Sequence, residues 1–95
     1  MRISDREKKI LVGAVLAQDP AARVWLFGSR VDDGKRGGDI DIAVLSTMIG
    51  RLERMRIRRA VVDALGEQKV DVVVSADGAD PFFRLVVQKG VRIDG

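Results

Sequence analysis

Apolar and polar residues fall into short blocks along the chain, and each block predicts one secondary-structure element. Ser4 and Glu7 stand three residues apart, the spacing of a capping box at the start of a helix. Apolar residues then recur on one helical face: Ile10, Leu11, Ala14 and Val15. Asp19-Pro20 predicts the end of this helix, because the residue before a proline is pushed out of the α region.

Two β-strands are predicted next. Residues 23–27 form a short apolar run bounded by Gly28-Ser29, and residues 39–45 alternate between polar and apolar side chains. The loop between them, residues 30–38, holds three glycines among charged residues. Direct pairing of these two strands would make the sheet mixed rather than all-parallel.

The second half of the chain continues the alternation of helix and strand. Residues 51–65 carry the apolar stripe of a helix that ends at Gly66: Ile57, Ala60, Val61, Ala64 and Leu65. Residues 70–74 predict a third strand. Asp80-Pro81 predicts the N-cap and first position of a third helix, which runs to Lys89.

The predicted order is α-β-β-α-β-α, with residues 91–93 available as a short edge strand. Such alternation predicts an α/β or α+β fold, a small mixed sheet with helices packed against it. The chain has 95 residues, of which 46% are apolar and 33% charged, as in ordinary globular proteins. No repeat or linker interrupts it, so we expect one domain over residues 1–95.

The composition restricts the available chemistry. The sequence contains no cysteine, histidine or tyrosine, which excludes thiolate nucleophiles, Ser-His-Asp triads and nearly all catalytic zinc sites. Catalysis would have to use carboxylates, hydroxyls, lysine, arginine and backbone groups. Carboxylates without histidine or cysteine favour hard cations, above all Mg²⁺.

The formal net charge is +3, and the sequence pI is 9.8. A basic balance is compatible with an anionic partner, and equally with the solvated surface of a small arginine-rich protein. The sequence has no run of 18 apolar residues, so no membrane span is predicted. The charged N-terminal residues do not resemble a signal peptide. We therefore expect a cytoplasmic protein with no membrane association.

Three aspartates form the strongest candidate site. Asp39 and Asp41 are two residues apart on a predicted strand, so their side chains share one face at a spacing of about 6–7 Å. Asp71 stands opposite the apolar face of the third strand, and joins them if the two strands are neighbours. Such like charges repel one another unless a cation lies between them, and a three-carboxylate cluster suits Mg²⁺ rather than zinc.

A phosphate-binding turn is the second candidate feature. Gly28 follows the first strand and permits a tight turn, while the amide and hydroxyl of Ser29 can cradle a phosphate. Arg30 can add charge-assisted hydrogen bonds. Taken alone, the glycine-serine pair is an ordinary turn and the aspartates a solvent-facing strand. Their joint occurrence favours a metal-assisted nucleotide site.

These residues resemble a known family. Gly28-Ser29-Arg30, followed by the segment 38–45 (GDIDIAVL), is similar to the glycine-serine and Asp-x-Asp signature of DNA polymerase beta-like nucleotidyltransferases. The chain length, with segments 69–74 and 86–93, resembles the minimal nucleotidyltransferase branch. The likeness runs from about Trp25 to Ile93.

The resemblance implies roles for individual residues. Asp39 and Asp41 would hold two divalent ions, and Asp71 would help to hold the catalytic metal and accept the proton of the incoming hydroxyl. Gly28 and Ser29 would bind the phosphates of the nucleotide. The position before the first aspartate, commonly serine in the family, is Gly38 here, which we expect to alter loop packing rather than metal binding.

The resemblance also implies an activity and a partner. We expect Mg²⁺-dependent transfer of AMP from ATP to a hydroxyl of a partner protein, with the chain acting as antitoxin of a HEPN-domain ribonuclease toxin. So small a chain would need the partner to supply the acceptor surface. The alternative is a non-catalytic antitoxin that masks its partner. A basic nucleic-acid-binding domain is disfavoured, because the aspartates repel phosphate when no metal is present.

Two further surface features each have a functional and a structural interpretation. The arginines of residues 51–59 form either a contact for an acidic partner or nucleic acid, or a solvated helix face. Leu52, Met55 and Val62 lie off the main stripe and form either a partner patch or a wider core contact. Phe82 and Phe83 are predicted to be core residues rather than a base-stacking platform, because few aromatics exist to fill the interior.

Overall fold

A computed structural model describes residues 3–31 and 39–95, and for Ser29 its backbone alone. Within these ranges, three α-helices and four β-strands follow one another in the predicted order. The elements are α1 (Asp5–Leu16), β1 (Arg23–Phe27), a 3₁₀ turn (Gly28–Arg30), β2 (Ile40–Leu45), α2 (Arg51–Leu65), β3 (Val70–Ser75), α3 (Pro81–Lys89) and β4 (Val91–Arg92).

The four strands form one mixed sheet in the order β3-β2-β1-β4. β1 is antiparallel to both β2 and β4, whereas β2 and β3 are parallel. Parallel neighbours need a long crossover, and α2 supplies it between β2 and β3. The predicted small α+β fold with a mixed sheet is confirmed.

One face of the sheet is covered by α1 and α2. Alternate residues of the strands point to this face and pack against the buried stripes of the two helices. The fully buried members of this core are Leu11, Val15, Val24, Leu26, Ile42, Val44, Ile57 and Val61. The side chains of Ile40, Ile42 and Val44 therefore lie behind the candidate aspartates, as predicted.

Among the described elements, α3 is the helix that covers the other face. Ala43, Phe83 and Val86 are buried there, with Trp25 and Phe27 partly buried against them. The rings of Trp25 and Phe83 meet edge to face, with centroids 5.8 Å apart. Phe83 is thus a core residue as predicted, but that prediction is wrong for Phe82, whose side chain is half exposed.

Several local predictions are corrected by the structure. α1 ends at Leu16, three residues before Asp19, whose buried side chain accepts a 2.6 Å hydrogen bond from the Ser46 hydroxyl. β2 begins at Ile40, one residue later than predicted. Ala60 and Ala64 are exposed rather than buried, so the core stripe of α2 is narrower than its apolar pattern suggests.

The capping box of α1 is confirmed, because Ser4 Oγ accepts from the Glu7 amide and Glu7 Oε1 accepts from the Ser4 amide, each at 3.0 Å. The loop glycines Gly34, Gly37 and Gly38 lie outside the described residues, so the effect on loop packing expected from Gly38 stays a prediction. Over the part of the chain that is described, no helix has the length and apolar character needed to cross a membrane.

Candidate active site

The centre of the candidate site is a pair of aspartates on neighbouring strands. Asp41 on β2 and Asp71 on β3 occupy the same register position of the parallel pair. Adjacent strands lie about 4.8 Å apart, and residues in register point to the same face. The sheet therefore brings these two predicted carboxylates together, on the face that α3 leaves partly open.

The electrostatics of the pair show how close the two carboxyl groups are. The pKa of Asp41 is raised, first by partial burial, then by the charge of Asp71 and a side-chain hydrogen bond with it. The charge of Asp39 raises the pKa of Asp41 further, while Lys69 opposes the shift. Like charges on neighbouring strands repel each other, so a cation bound between them would relieve the repulsion.

Gly28 brings the backbone of the first turn against this pair. The residue opens the 3₁₀ turn after β1 with a φ of +78°, a conformation that L side chains rarely adopt. A Cβ added at Gly28 would overlap the Asp41 carboxylate. Glycine is therefore required both for the turn and for the close approach, and the structure joins the predicted glycine turn to the predicted acid.

Asp39 stands slightly apart from the pair. It is exposed, precedes β2 by one residue and acts on Asp41 through its charge. Among residues 3–31 and 39–95, no three acidic side chains form a ready metal-binding group. Two of the three predicted carboxylates are thus in contact, and the metal role of Asp39 stays a prediction.

The donors of this corner fit a hard divalent cation in their chemistry. Asp41 and Asp71 offer carboxylate oxygens from two neighbouring strands, and Asp39 offers a third carboxylate two residues from Asp41. Mg²⁺ binds in enzymes through one or two carboxylates together with substrate phosphates, so it does not need a complete protein cage. The metal roles of all three residues stay predictions.

Arg30 and Ser29 are less directly tied to the acidic pair. The guanidinium of Arg30 forms a largely buried ion pair with Glu7 at 3.2 Å and approaches Gln68 Oε1 at 3.5 Å. This contact fixes the 3₁₀ turn to α1. The Ser29 side chain and Gly38 lie outside what the structure describes, so the predicted phosphate contact of Ser29 and the effect of Gly38 stay untested.

Lys69 is a site residue that the sequence analysis missed. Its ammonium nitrogen lies 4.0 Å from Asp71 Oδ2, and both side chains are exposed. The spacing Lys69-Val70-Asp71 contains the signal, because residues two apart on a strand share a face. The lysine offsets part of the negative charge of the acidic pair.

The concave features of the surface are shallow and not centred on the aspartates. A depression of about 400 Å³ lies between Lys8, Val12 and Ile93, on the α1 side of the sheet, and one of about 430 Å³ is lined by Val62, Glu67, Gln68 and Lys69. The acidic pair lies on the opposite face and is open to solvent on one side. The candidate site is identified by its paired charges and its glycine turn rather than by depth.

Comparison with known families identifies one family model that covers most of the chain. Residues 12–94 match the sequence profile of the family described as Polymerase beta, Nucleotidyltransferase. The match spans the glycine turn and both strands that carry the aspartates. No protein in the curated set matches the chain significantly.

Proposed function

The chain belongs to the polymerase beta nucleotidyltransferase family, and from this premise we propose that it transfers AMP from ATP to a hydroxyl of a partner protein in a Mg²⁺-dependent reaction. The observation that carries the proposal is the pairing of Asp41 with Asp71, in register on neighbouring strands and directly beside Gly28. A fold that keeps two repelling carboxylates in register, next to a turn open to phosphate, is suited to a metal-bound triphosphate.

Each candidate residue has a role in this reaction. Asp39, Asp41 and Asp71 would hold up to two Mg²⁺ ions, which would supply charge neutralisation at the phosphates and a lowered pKa of the attacking hydroxyl. The amides of Gly28 and Ser29 bind phosphate oxygens, and Arg30 supports the turn that presents them. Lys69 adds a positive charge beside Asp71.

The chemical step is a substitution at the α-phosphorus of ATP. The acceptor oxygen forms a bond to that phosphorus, the bond to the bridging oxygen of the β-phosphate breaks, and pyrophosphate leaves with its electron pair. Asp71 accepts the proton of the hydroxyl. The products are the AMP ester of the acceptor and pyrophosphate.

The acceptor is proposed to be a partner protein that docks on α2. Three large apolar side chains near the start of this helix are exposed: Met48 by 65%, Leu52 by 53% and Met55 by 53%. Arg51, Arg56 and Arg59 are exposed around them. Flexible methionines within a basic rim suit an acidic, apolar protein surface better than nucleic acid.

We propose that this partner is a HEPN-domain ribonuclease toxin and that the chain is its antitoxin, working as a minimal nucleotidyltransferase domain. Two mechanisms of neutralisation are consistent with the surface on α2. In the first, AMP transfer inactivates the toxin. In the second, α2 covers the toxin without chemistry, and the carboxylates are not required.

Label transfer from ATP tests the enzymatic proposal. The protein is incubated with Mg²⁺, ATP labelled at the α-phosphate and the product of the adjacent gene. The wild type should label that product, whereas Asp41→Asn and Asp71→Asn should not. Asp5→Asn, an exposed acid on α1, is the matched control and should retain full labelling. Absence of transfer by the wild type would refute the catalytic proposal.

Protection of cells separates catalysis from masking. If catalysis neutralises the toxin, Asp41→Asn loses protection even though the complex still forms. If masking is sufficient, Asp41→Asn protects fully and the double variant Leu52→Asp, Met55→Asp fails. Co-purification of the two proteins shows in each case whether the complex has formed.

A further inference from the structure

An aromatic ring stands exposed at the edge of the acidic pair. Phe82 lies in the first turn of α3 and is 53% exposed, while the next residue, Phe83, is 2% exposed. A phenylalanine left half in water forgoes much of the free energy that its burial would provide. The core of this face is completed by Phe83 and Val86, so packing does not account for the position of Phe82.

The contacts of Phe82 connect its ring to the site. It meets Phe27 edge to face, with ring centroids 6.4 Å apart. Phe27 is the direct cross-strand partner of Asp41, so the two side chains share a face about 5 Å apart. The series Phe82, Phe27, Asp41 leads from an exposed ring to the carboxylate pair. Because Phe27 supports Phe82 from its edge, the exposed ring is held in place.

Leu85 extends this surface along α3. It is three residues after Phe82, on the same helical face, and 49% exposed. Phe82 and Leu85 thus form a small apolar wall, which we call the α3 wall. One end of the wall adjoins the acidic pair, where the proposed function places a triphosphate.

We propose that the α3 wall is the nucleobase subsite, in which the base of the nucleoside triphosphate stacks on Phe82 and contacts Leu85. This inference rests on the proposed function and adds the contact that holds the uncharged end of the substrate. A nucleotide carries its charge at one end and a flat aromatic group at the other. The open corner offers a matching pair of surfaces in the same order.

Stacking also predicts the selectivity of the subsite. Every base has a π-face, so a stacking platform tolerates different bases and discriminates mainly by stacking strength. We expect ATP and GTP to bind about equally, and both to bind more tightly than UTP. Base stacking gives the exposed ring of Phe82 a function that a core residue would not have.

Calorimetric binding tests the inference without relying on turnover. ATP and inorganic tripolyphosphate, each with Mg²⁺, are titrated into wild type, Phe82→Ala and Phe82→Trp. Loss of one stacking contact should weaken ATP binding by about tenfold in Phe82→Ala, while tripolyphosphate binding stays unchanged. Phe82→Trp keeps an aromatic ring at this position and should bind ATP about as tightly as the wild type. Gln88→Ala, an exposed change near the other end of α3, should bind ATP like the wild type.

The outcomes separate this inference from the proposed function. Equal ATP affinity in Phe82→Ala and wild type overturns the base subsite and leaves the metal-triphosphate site intact. Equal affinity of the wild type for ATP and tripolyphosphate would also overturn the base subsite and leave the metal-triphosphate site intact. If the wild type binds neither compound, both proposals fail. A native circular dichroism spectrum of Phe82→Ala establishes that the variant is folded.

Discussion

The two faces of the sheet differ in how completely they are covered. On the first face, α1 and α2 bury a continuous core in which Leu11, Leu26 and Ile57 are fully shielded from solvent. On the second face, α3 has nine residues and leaves Asp41 and Asp71 uncovered at one corner. The same strands therefore carry a closed apolar layer on one side and an open acidic corner on the other.

The two faces contribute differently to the free energy of folding: the first face stabilises the fold, and the second contains features that lower its stability. Burial on the first face provides most of the hydrophobic free energy of folding. The second face retains repelling carboxylates and an exposed phenylalanine beside the glycine turn. Features that cost stability and cluster in one place are typical of functional sites.

The largest expected effect is the loss of a core side chain from the first face. Leu26→Ala should lower the free energy of unfolding by about 2–5 kcal/mol, because it removes fully buried methyl groups and leaves a cavity. Leu85→Ala on the second face should cost less than about 1 kcal/mol, because that side chain is half exposed. Urea denaturation measures both, and equal losses would contradict the comparison.

The next effect separates backbone strain from disruption of the site. Gly28 and Gly66 both have positive φ angles, of +78° and +89°. Alanine at either position should cost roughly 1–3 kcal/mol through backbone strain. Only at Gly28 does the new Cβ meet the Asp41 carboxylate; at Gly66 it meets open space.

Binding of Mg²⁺ with ATP should therefore be lost in Gly28→Ala and preserved in Gly66→Ala. Calorimetric titration of the two variants at a temperature where both are folded makes the measurement. Preserved binding in Gly28→Ala would show that the turn does not form part of the site.

Asp94 and Asp41 are two aspartates in opposite environments. Hydrogen-bond donors surround the carboxylate of Asp94, whereas Asp41 faces two other carboxylates. Burial raises the pKa of Asp94, but hydrogen bonds from Arg92 and from the Val24 amide outweigh it, so the net pKa is lowered. A lowered pKa contributes stability above the unfolded-state pKa, and this contribution is lost as the pH falls through the folded-state pKa.

Asp94→Asn should therefore destabilise the protein by about 1 kcal/mol at pH 7. The difference from wild type should shrink below the ordinary pKa range of an aspartate. Thermal melts over a series of pH values measure it, and a gap that does not vary with pH would argue against a charged clamp between β4 and β1.

The smallest expected effect has the opposite sign. Because the pKa of Asp41 is raised, its ionisation destabilises the fold as the pH rises through that pKa, and full stability is present only below the unfolded-state value. Asp41→Asn removes this cost, so it should raise the melting temperature by a few degrees at pH 7 and by less at low pH. A lower melting temperature at pH 7 would show that the carboxylate stabilises the fold.

Much of the fold could be predicted because the local signals agree with one another. Each of three local signals fits only one type of element: the capping box at Ser4, the alternation in β2 and the Asp80-Pro81 start of α3. The end of α1 near Asp19-Pro20 could be predicted to within three residues. The buried hydrogen bond that Asp19 accepts from Ser46 could not, because the two residues are 27 positions apart in the sequence.

The candidate site could be predicted in part for the same reason. Strand alternation placed Asp41 and Asp71 on a polar face, and the parallel register then brought them together. The exposure of Phe82 could not be read from its sequence neighbours. Two adjacent residues of a helix can both lie on its apolar face, and here the structure buries Phe83 against Trp25 and leaves Phe82 half exposed.

Paramagnetic NMR with Mn²⁺ tests the central claim most directly, since carboxylate sites that take Mg²⁺ also take Mn²⁺. In the wild type, the amide signals of Gly28, Asp41 and Asp71 should broaden first as Mn²⁺ is added, and Asp41→Asn combined with Asp71→Asn should abolish the effect. If the first signals to broaden belong to another acidic cluster, or if the double variant broadens like the wild type, the acidic pair is not a metal site.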